Sequence, residues 1–134
     1  MEAKEMAFLP LSDDDSLPKH SPIITWHDKL HGGATICGAN LRMTSSDLKA
    51  LFERAGFINV TVLDFKLPIG TWPKGRKWKQ IGLFQQEVLR EDLGAFSLTI
   101  FQRFLNWSME EVEMFLNEVR MELLNLAYHW YWPL

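Results

Sequence analysis

This chain of 134 residues has one cysteine, no long apolar run and no large excess of either charge. A single cysteine, Cys37, excludes an internal disulfide framework and any zinc site built from several thiolates. No segment approaches the ~20 apolar residues that cross a bilayer, and residues 1–6 are acidic where an export signal needs a basic start. A formal net charge of −3 gives no global field that attracts nucleic acid or anionic membranes. We therefore expect an intracellular protein, cytoplasmic or nuclear, that binds neither.

What the chain does contain is ordinary for one globular domain that spans residues 1–134. Hydrophobic residues make up 47% of it and charged residues 23%. A compact fold of this size buries roughly two thirds of the surface that its extended chain exposes, which is enough for one core. Six tryptophans and nine phenylalanines predict that this core is aromatic.

The first half of the chain predicts a loop, two helices and a strand. Residues 1–8 are compatible with a short strand, and residues 9–21 are predicted to be a loop because they hold two prolines and three consecutive aspartates. Pro22–Leu30 is a predicted short helix that Gly32 and Gly33 end. Residues 44–67 predict a helix with a Thr44–Asp47 capping box, followed by a strand over Phe57–Leu67. A helix followed by a strand is typical of a layered α/β sheet.

The second half predicts a helical cover over residues 77–126. Two helices, 77–89 and 96–105, are expected with Gly94 between them, and a third begins after a Ser108–Glu111 capping box. Its apolar positions fall on one face and include Val112, Leu116 and Val119. Residues 128–134 form an aromatic segment that is typical of a strand.

Two constellations are compatible with chemistry, although each has an ordinary structural explanation. His27 and His31 are four residues apart, and His20 and Cys37 flank them, but the spacing matches no established metal site. Residues 70–77 follow a strand and precede a helix, as in a phosphate-binding loop. Arg76 and Lys77 stand where that loop needs a lysine and a hydroxyl, so nucleotide hydrolysis is not expected. The basic residues 74–79 are more simply the solvated start of a helix, and the histidines are more simply packing or surface residues.

Several segments together resemble one family, the fungal LaeA-like, S-adenosylmethionine-dependent class I methyltransferases, and specifically its C-terminal half. The most specific is Lys-Leu-Pro-Ile-Gly-Thr-Trp-Pro at 66–73, which follows a Gly-Phe-Ile-Asn-Val strand start at 56–60. The others are Ser-Asp-Asp-Asp-Ser-Leu-Pro at 12–18, Ile81-Gly82, Trp-Ser-Met-Glu-Glu-Val at 107–112 and His-Trp-Tyr-Trp-Pro at 129–133.

The resemblance implies a partial Rossmann-like α/β fold, mostly helical with one to three strands, whose cofactor-binding half is missing. The family's cofactor site needs a Gly-x-Gly loop after the first strand and an acidic residue after the second. None of the eight glycines forms a Gly-x-Gly. Residues 1–6 resemble the family's fifth strand, so we expect that this chain alone does not bind S-adenosylmethionine. No catalytic, cofactor-binding or metal-binding residue is assigned.

The family's final strand lies between its fifth and sixth strands, and only its beginning is present here. We therefore expect residues 1–8 and 57–67 to lose their shared neighbour and to expose unpaired edges. This leaves two interpretations. One is a methyltransferase-like protein of fungal secondary metabolism that is either truncated or part of a working enzyme whose front half is supplied by another chain or by upstream sequence. The other is a non-catalytic interaction or regulatory module that associates with a partner, a complete methyltransferase or a second copy of itself.

If a small-molecule methyl acceptor binds, the resemblance and the aromatic content indicate which residues line its side of the fold. The candidates are Trp72, Trp78, His129 and Tyr131. Many methyl transfers need only alignment of the nucleophile with the methyl group, so no catalytic base is required.

Overall fold

The computed structural model describes residues 1–134. The elements in chain order are α1 (Pro22–Ile36), α2 (Ser45–Arg54), β1 (Lys66–Ile69), α3 (Arg76–Leu105), α4 (Met109–Leu123) and β2 (Trp130–Pro133). Helices α1, α3 and α4 pack against one another, and β1 packs against α3. The prediction of a mostly helical chain with one to three strands is confirmed. None of its helices is long and apolar enough to cross a membrane.

Three helices begin where the sequence predicts. Ser21 caps α1 by accepting a hydrogen bond of 3.2 Å from the Ile24 amide, and Pro22 occupies the first turn. Capping boxes begin α2 at Thr44 and α4 at Ser108, with Asp47 and Glu111 as the reciprocal acceptors. These starts are predictable because every partner lies within three residues along the chain.

The predicted end of α1 at Gly32 and Gly33 is wrong, since the helix continues through both to Ile36. Gly33 is buried at the crossing with α3, where a Cβ atom would lie 2.2 Å from Ile100 Cγ2. Glycine is therefore present because α3 approaches closely, and this packing offsets the ~1 kcal/mol that glycine costs inside a helix.

Replacing Gly33 by alanine is expected to lower the free energy of unfolding by about 2 kcal/mol, because the new methyl group overlaps Ile100. Ile100→Ala removes the overlapping atom, so the double variant should lose less than the sum of the two single losses. Urea denaturation of the four proteins in this cycle measures the coupling. Strictly additive losses would contradict the close packing of Gly33 on Ile100.

The predicted break at Gly94 is also wrong, because α3 is one helix of 30 residues. Its buried positions continue across the glycine at helical spacing: Gln86, Leu89, Leu93, Ser97 and Phe101. Nothing lies within 4 Å of a Cβ atom built on Gly94. A continuous buried face therefore holds the helix together where local propensity favours an end.

The predicted strand over residues 57–67 is present only at its end, as β1. Residues 57–65 are irregular and largely exposed despite their alternating apolar pattern. Phe65 exchanges two backbone hydrogen bonds with Leu134, whereas residues 58–64 have no backbone partner. Because a strand exists only through hydrogen bonds to a neighbouring strand, this segment does not form one. The strand expected over residues 1–8 is absent for the same reason, since backbone pairing begins only at Ala7.

The expectation that the two flanking segments lose their shared neighbour is wrong over the length of β2. β2 pairs antiparallel with β1, with Leu67 opposite Trp132 and Ile69 opposite Trp130. On its other side, Leu11 and Tyr131 exchange backbone hydrogen bonds of 3.0 and 2.9 Å. β2 thus joins both neighbours in a short antiparallel arrangement, through all four residues to β1 and through Tyr131 and Pro133 to residues 7–11.

The core is aromatic, as predicted. Trp26, Phe101 and Trp130 are its largest fully buried side chains. By contrast, α2 has no buried residue and packs against none of the other helices or strands. Its apolar positions, which include Leu51 and Phe52, are therefore left outside the core.

Candidate functional site

Three of the four predicted acceptor-side residues lie together near the N-terminal end of β2. They are Trp72, His129 and Tyr131. The Trp72 ring stacks on His129 with ring centres 5.6 Å apart, and its indole N–H donates to the Trp130 carbonyl over 3.1 Å. Tyr131 lies two residues after His129, within β2. Trp78 does not join them: it is exposed in the first turn of α3, where the Lys77 ammonium lies 5.8 Å from its ring centre.

The loop at residues 12–16 is fixed against this aromatic group. Asp14 meets His129 Nδ1 at 2.6 Å, and the His129 amide donates to Ser16 Oγ over 2.8 Å. Ser12 Oγ and the Ser16 amide also donate to Asp14, which closes the loop on itself. The sequence marks these residues only through their place in the 12–18 motif, and their role as a clamp on β2 was not predicted.

Asp13 forms the second half of the clamp. It accepts a hydrogen bond of 2.8 Å from the Tyr131 hydroxyl and forms an ion pair with Lys66. The Lys66 ammonium also lies 4.8 Å from the centre of the Tyr131 ring. The hydrogen bond from Lys66 holds the pKa of Asp13 below its usual value. Hydrogen bonds from Ser16 and His129 lower the pKa of Asp14 in the same way. Both carboxylates are thus anionic at neutral pH and already engaged within the protein.

Burial is the main reason why the pKa of the Tyr131 hydroxyl is raised, and the hydrogen bond to Asp13 raises it further. The chain has two tyrosines, so in a Tyr128→Phe variant Tyr131 is the one tyrosine whose ionisation is followed. We expect Asp13→Asn to move its titration midpoint to lower pH, since the neutral amide no longer opposes the phenolate. Ultraviolet difference absorbance at alkaline pH measures this midpoint. An unchanged or higher midpoint would contradict the contact.

His27 is a fully buried polar residue in the core, with 1% of its surface exposed. Trp132 donates its indole N–H to His27 Nε2 over 2.9 Å, so Nδ1 carries the proton and donates to the Ile23 carbonyl at 2.7 Å. Burial lowers the pKa of His27 to about 4. This histidine is a neutral link between α1 and β2.

The other residues of the hypothetical metal set do not gather around His27. His20 is exposed in the loop before α1, and the Cys37 thiol donates to the Gly33 carbonyl at 3.6 Å. No group of three histidine, cysteine, aspartate or glutamate side chains is positioned to hold a metal ion.

The loop after β1 joins a strand to a helix, as a phosphate-binding loop does, but it lacks the residues with which such a loop binds phosphate and magnesium. Gly75 precedes α3 with a φ of 86°, and no side chain caps the helix. A shallow, open depression of about 400 Å³ lies beside it, lined by Thr71, Gly75, Arg76, Lys79, Gln80 and Leu83. Arg76 and Lys77 occupy the two positions where a phosphate-binding loop carries its lysine and its magnesium-binding hydroxyl.

A groove of about 510 Å³ lies beside Leu134, at the end of the sheet. We call it the sheet-end groove. Its walls are residues 2–5 with Ala7, Leu9 and Leu11, residues 43–45 with Leu48, residues 61 and 63–65, and Pro133 with Leu134. It is mainly apolar, and sequence reasoning identified it only as a pair of exposed edges.

The residues present do not fit S-adenosylmethionine. In open α/β folds this type of cofactor lies in a crevice at the carboxyl ends of parallel strands, against a glycine-rich turn. Here the strands are antiparallel, and both glycines after β1 belong to the loop that begins α3.

Comparison with known proteins finds fungal proteins as distant relatives of the chain. No family model and no solved structure matches it. A probable methyltransferase, tdiE of Emericella nidulans, is 29% identical over 99% of this chain and 42% of its own length. The methyltransferase pytC of Aspergillus terreus is 28% identical over 96% of this chain and 40% of its own length. The secondary metabolism regulator LAE1 of Hypocrea atroviridis is 25% identical over the whole chain and 38% of its own length.

The chain is a distant homologue of these fungal methyltransferases and LaeA-type regulators. The predicted resemblance is thereby confirmed along essentially the full chain. The chain spans about two fifths of the length of the relatives it matches.

Proposed function

We propose that this chain supplies the acceptor side of a methyltransferase-like protein of fungal secondary metabolism and does not bind S-adenosylmethionine unaided. Homology along the whole chain to proteins more than twice its length is the observation that carries the proposal. The short antiparallel sheet supports it, because such a sheet offers no cofactor crevice.

In this role the aromatic group near the N-terminal end of β2, formed by Trp72, His129 and Tyr131, contacts the methyl acceptor. Trp72 and His129 present flat, partly exposed rings whose positions are set by the stack between them and by the clamp from Asp14. Flat aromatic faces with few polar groups suit a small aromatic or heterocyclic acceptor. Methyl transfer needs alignment above all, so rigid placement is what these residues contribute.

Complementation tests the proposal without knowledge of the acceptor. The part of the tdiE relative that this chain does not match is co-expressed with the chain, and S-adenosylmethionine binding is measured by calorimetry. We expect binding by the co-purified pair and none by the chain alone. If the tdiE segment binds the cofactor equally well with and without the chain, the chain completes no methyltransferase and the proposal fails.

The alternative is a non-catalytic interaction or regulatory module, and the exposed apolar surface favours it. Helix α2 lies outside the core, and Ile58 and Leu63 are 85% and 72% exposed. This alternative predicts association with the intact tdiE relative, or self-association, that leaves cofactor binding unchanged. Light scattering on the mixture, paired with calorimetry, separates the two functions.

A further inference from the structure

One ion pair of the protein joins a histidine to a carboxylate, and it lies within the aromatic group near the N-terminal end of β2. His129 Nδ1 lies 2.6 Å from Asp14, and the His129 amide donates to Ser16 Oγ over 2.8 Å. The Trp72 ring covers one face of the imidazole, with ring centres 5.6 Å apart. The His129 ring is therefore held at one edge, at its backbone and on one face.

Asp14 determines which nitrogen of the neutral His129 ring carries the proton. Hydrogen bonds from Ser16 and His129 keep the pKa of Asp14 below its usual value, so this carboxylate only accepts hydrogen bonds. The ring proton is therefore on Nδ1, which donates to Asp14, and Nε2 keeps a free lone pair. His129 Nε2 makes no hydrogen bond within the protein, and the side chain is 43% exposed. A carboxylate prepares the general base of Ser-His-Asp hydrolases in the same way.

The other three histidines lack this combination. His27 is buried and its Nε2 accepts from Trp132, whereas His31 has a buried Nδ1 without a partner. His20 is exposed and forms an ion pair with no carboxylate. A fixed ring together with an accessible basic nitrogen is thus particular to His129.

The surroundings of His129 suit a flat ligand that carries a hydroxyl group. Trp72 is itself fixed, because its indole N–H donates to the Trp130 carbonyl over 3.1 Å. An aromatic compound that packs against the stacked Trp72 and His129 rings brings its substituents to the edge of the imidazole, where a hydroxyl can donate to Nε2. Such a hydrogen bond, about 2.6–3.2 Å between heavy atoms, is what a general base requires.

We propose that His129 is a general base that takes the proton of a phenolic hydroxyl on the acceptor, with Asp14 as its positioning residue. The O–H bond breaks, an N–H bond forms at Nε2, and the electron pair stays on the oxygen as a phenolate. The exposed imidazolium then returns the proton to water. The phenolate oxygen is the nucleophile that methylation of a phenol needs. This inference rests on the proposed function and assigns its acceptor to the hydroxyl-bearing aromatic compounds.

Two ligands that differ by one methyl group test the proposal on the full chain. They are 2-naphthol and its methyl ether, 2-methoxynaphthalene, and calorimetry at neutral pH measures their affinities. We expect the naphthol to bind about tenfold more tightly than the ether, because only the naphthol donates a hydrogen bond to Nε2. His129→Phe keeps a flat ring beside Trp72 but has no base, so it should bind both ligands with the affinity of the ether. Equal affinities in the unmodified chain, a preference that survives in His129→Phe, or no binding of either ligand would each overturn the proposal.

Asp14→Asn tests the positioning role. Ser12 Oγ and the Ser16 amide both donate to Asp14 Oδ1, whereas His129 faces Oδ2. The asparagine oxygen therefore takes the Oδ1 position, and its NH₂ group donates to His129 Nδ1, which moves the ring proton to Nε2.

Nitrogen NMR of the imidazole should show an unprotonated Nε2 in the unmodified chain and a protonated Nε2 in Asp14→Asn, in which the preference for naphthol falls to about twofold. Asp15→Asn is the matched control, since Asp15 is exposed and forms no ion pair, and it should change neither result. Circular dichroism checks that each variant is folded. A protonated Nε2 in the unmodified chain, or the same tautomer in both proteins, would overturn the role of Asp14. These measurements need no cofactor, so they can fail while the complementation test succeeds, and the reverse.

Discussion

Replacing Gly82 by alanine is expected to lower the free energy of unfolding by about 3 kcal/mol, because α3 touches the loop after β1 backbone to backbone at this point. The Gly70 amide donates to the Gly82 carbonyl over 2.9 Å. A Cβ atom on Gly82 would lie only 1.9 Å from the Gly70 carbonyl oxygen. Neither group is a flexible side chain, so α3 must move away from β1 and lose the hydrogen bond. Chemical denaturation measures the loss.

Gly94→Ala is the matched control, since it places the same methyl group in the same helix. Nothing lies within 4 Å of that position, so we expect a gain of about 0.5–1 kcal/mol from lower backbone entropy in the unfolded chain. A loss below ~0.5 kcal/mol in Gly82→Ala would contradict the close approach of α3 to β1.

The second large effect is a loss of stability in mild acid that originates at His27. Burial lowers the pKa of His27 to about 4, whereas an unfolded histidine titrates near 6.5. As the pH falls below 6.5, the unfolded chain takes up a proton that the folded chain cannot accept. Stability is therefore complete above pH 6.5 and declines towards pH 4. Between pH 7 and pH 5 the decline should be about 2 kcal/mol, at about 1.4 kcal/mol per pH unit below 6.5.

His27→Gln isolates this contribution. The amide oxygen can accept the Trp132 indole N–H and the amide nitrogen can donate to Ile23, but the side chain carries no titrating group. Urea unfolding at pH 7 and pH 5 should show most of the acid loss gone in this variant. His20→Gln, at an exposed position, should retain it. If His27→Gln keeps the full acid loss, His27 is not the buried neutral link described here.

Local signals in the sequence were reliable where all the partners lie close along the chain. The caps at Ser21, Thr44 and Ser108 follow from contacts within three residues. Glycines were misleading because their meaning depends on distant packing: Gly33 is required by Ile100 in another helix, while Gly94 lies inside a continuous buried face. The strand pattern of residues 57–65 misled because pairing, which a pattern does not reveal, decides whether a strand exists.

The candidate site was only partly predictable for a similar reason. Trp72, His129 and Tyr131 were grouped through the family resemblance and the aromatic content. His129 and Tyr131 owe their places beside the 12–16 loop to hydrogen bonds with residues more than 100 positions away, and Trp72 is held by Trp130, 58 positions away. Trp78 has the same residue type as Trp72 but lies in another element. His27 resembled half of a metal site, and only its contact with Trp132, 105 residues later, shows it to be a core residue.

In the proposed function, this chain carries the acceptor side of the fold without a cofactor site of its own. Calorimetric titration of S-adenosylmethionine into the folded 134-residue chain tests it most directly. We expect no heat of binding up to millimolar cofactor, with circular dichroism confirming a helical, folded protein. Saturable binding at micromolar concentration would contradict the claim, because the chain would then hold the cofactor without any additional polypeptide.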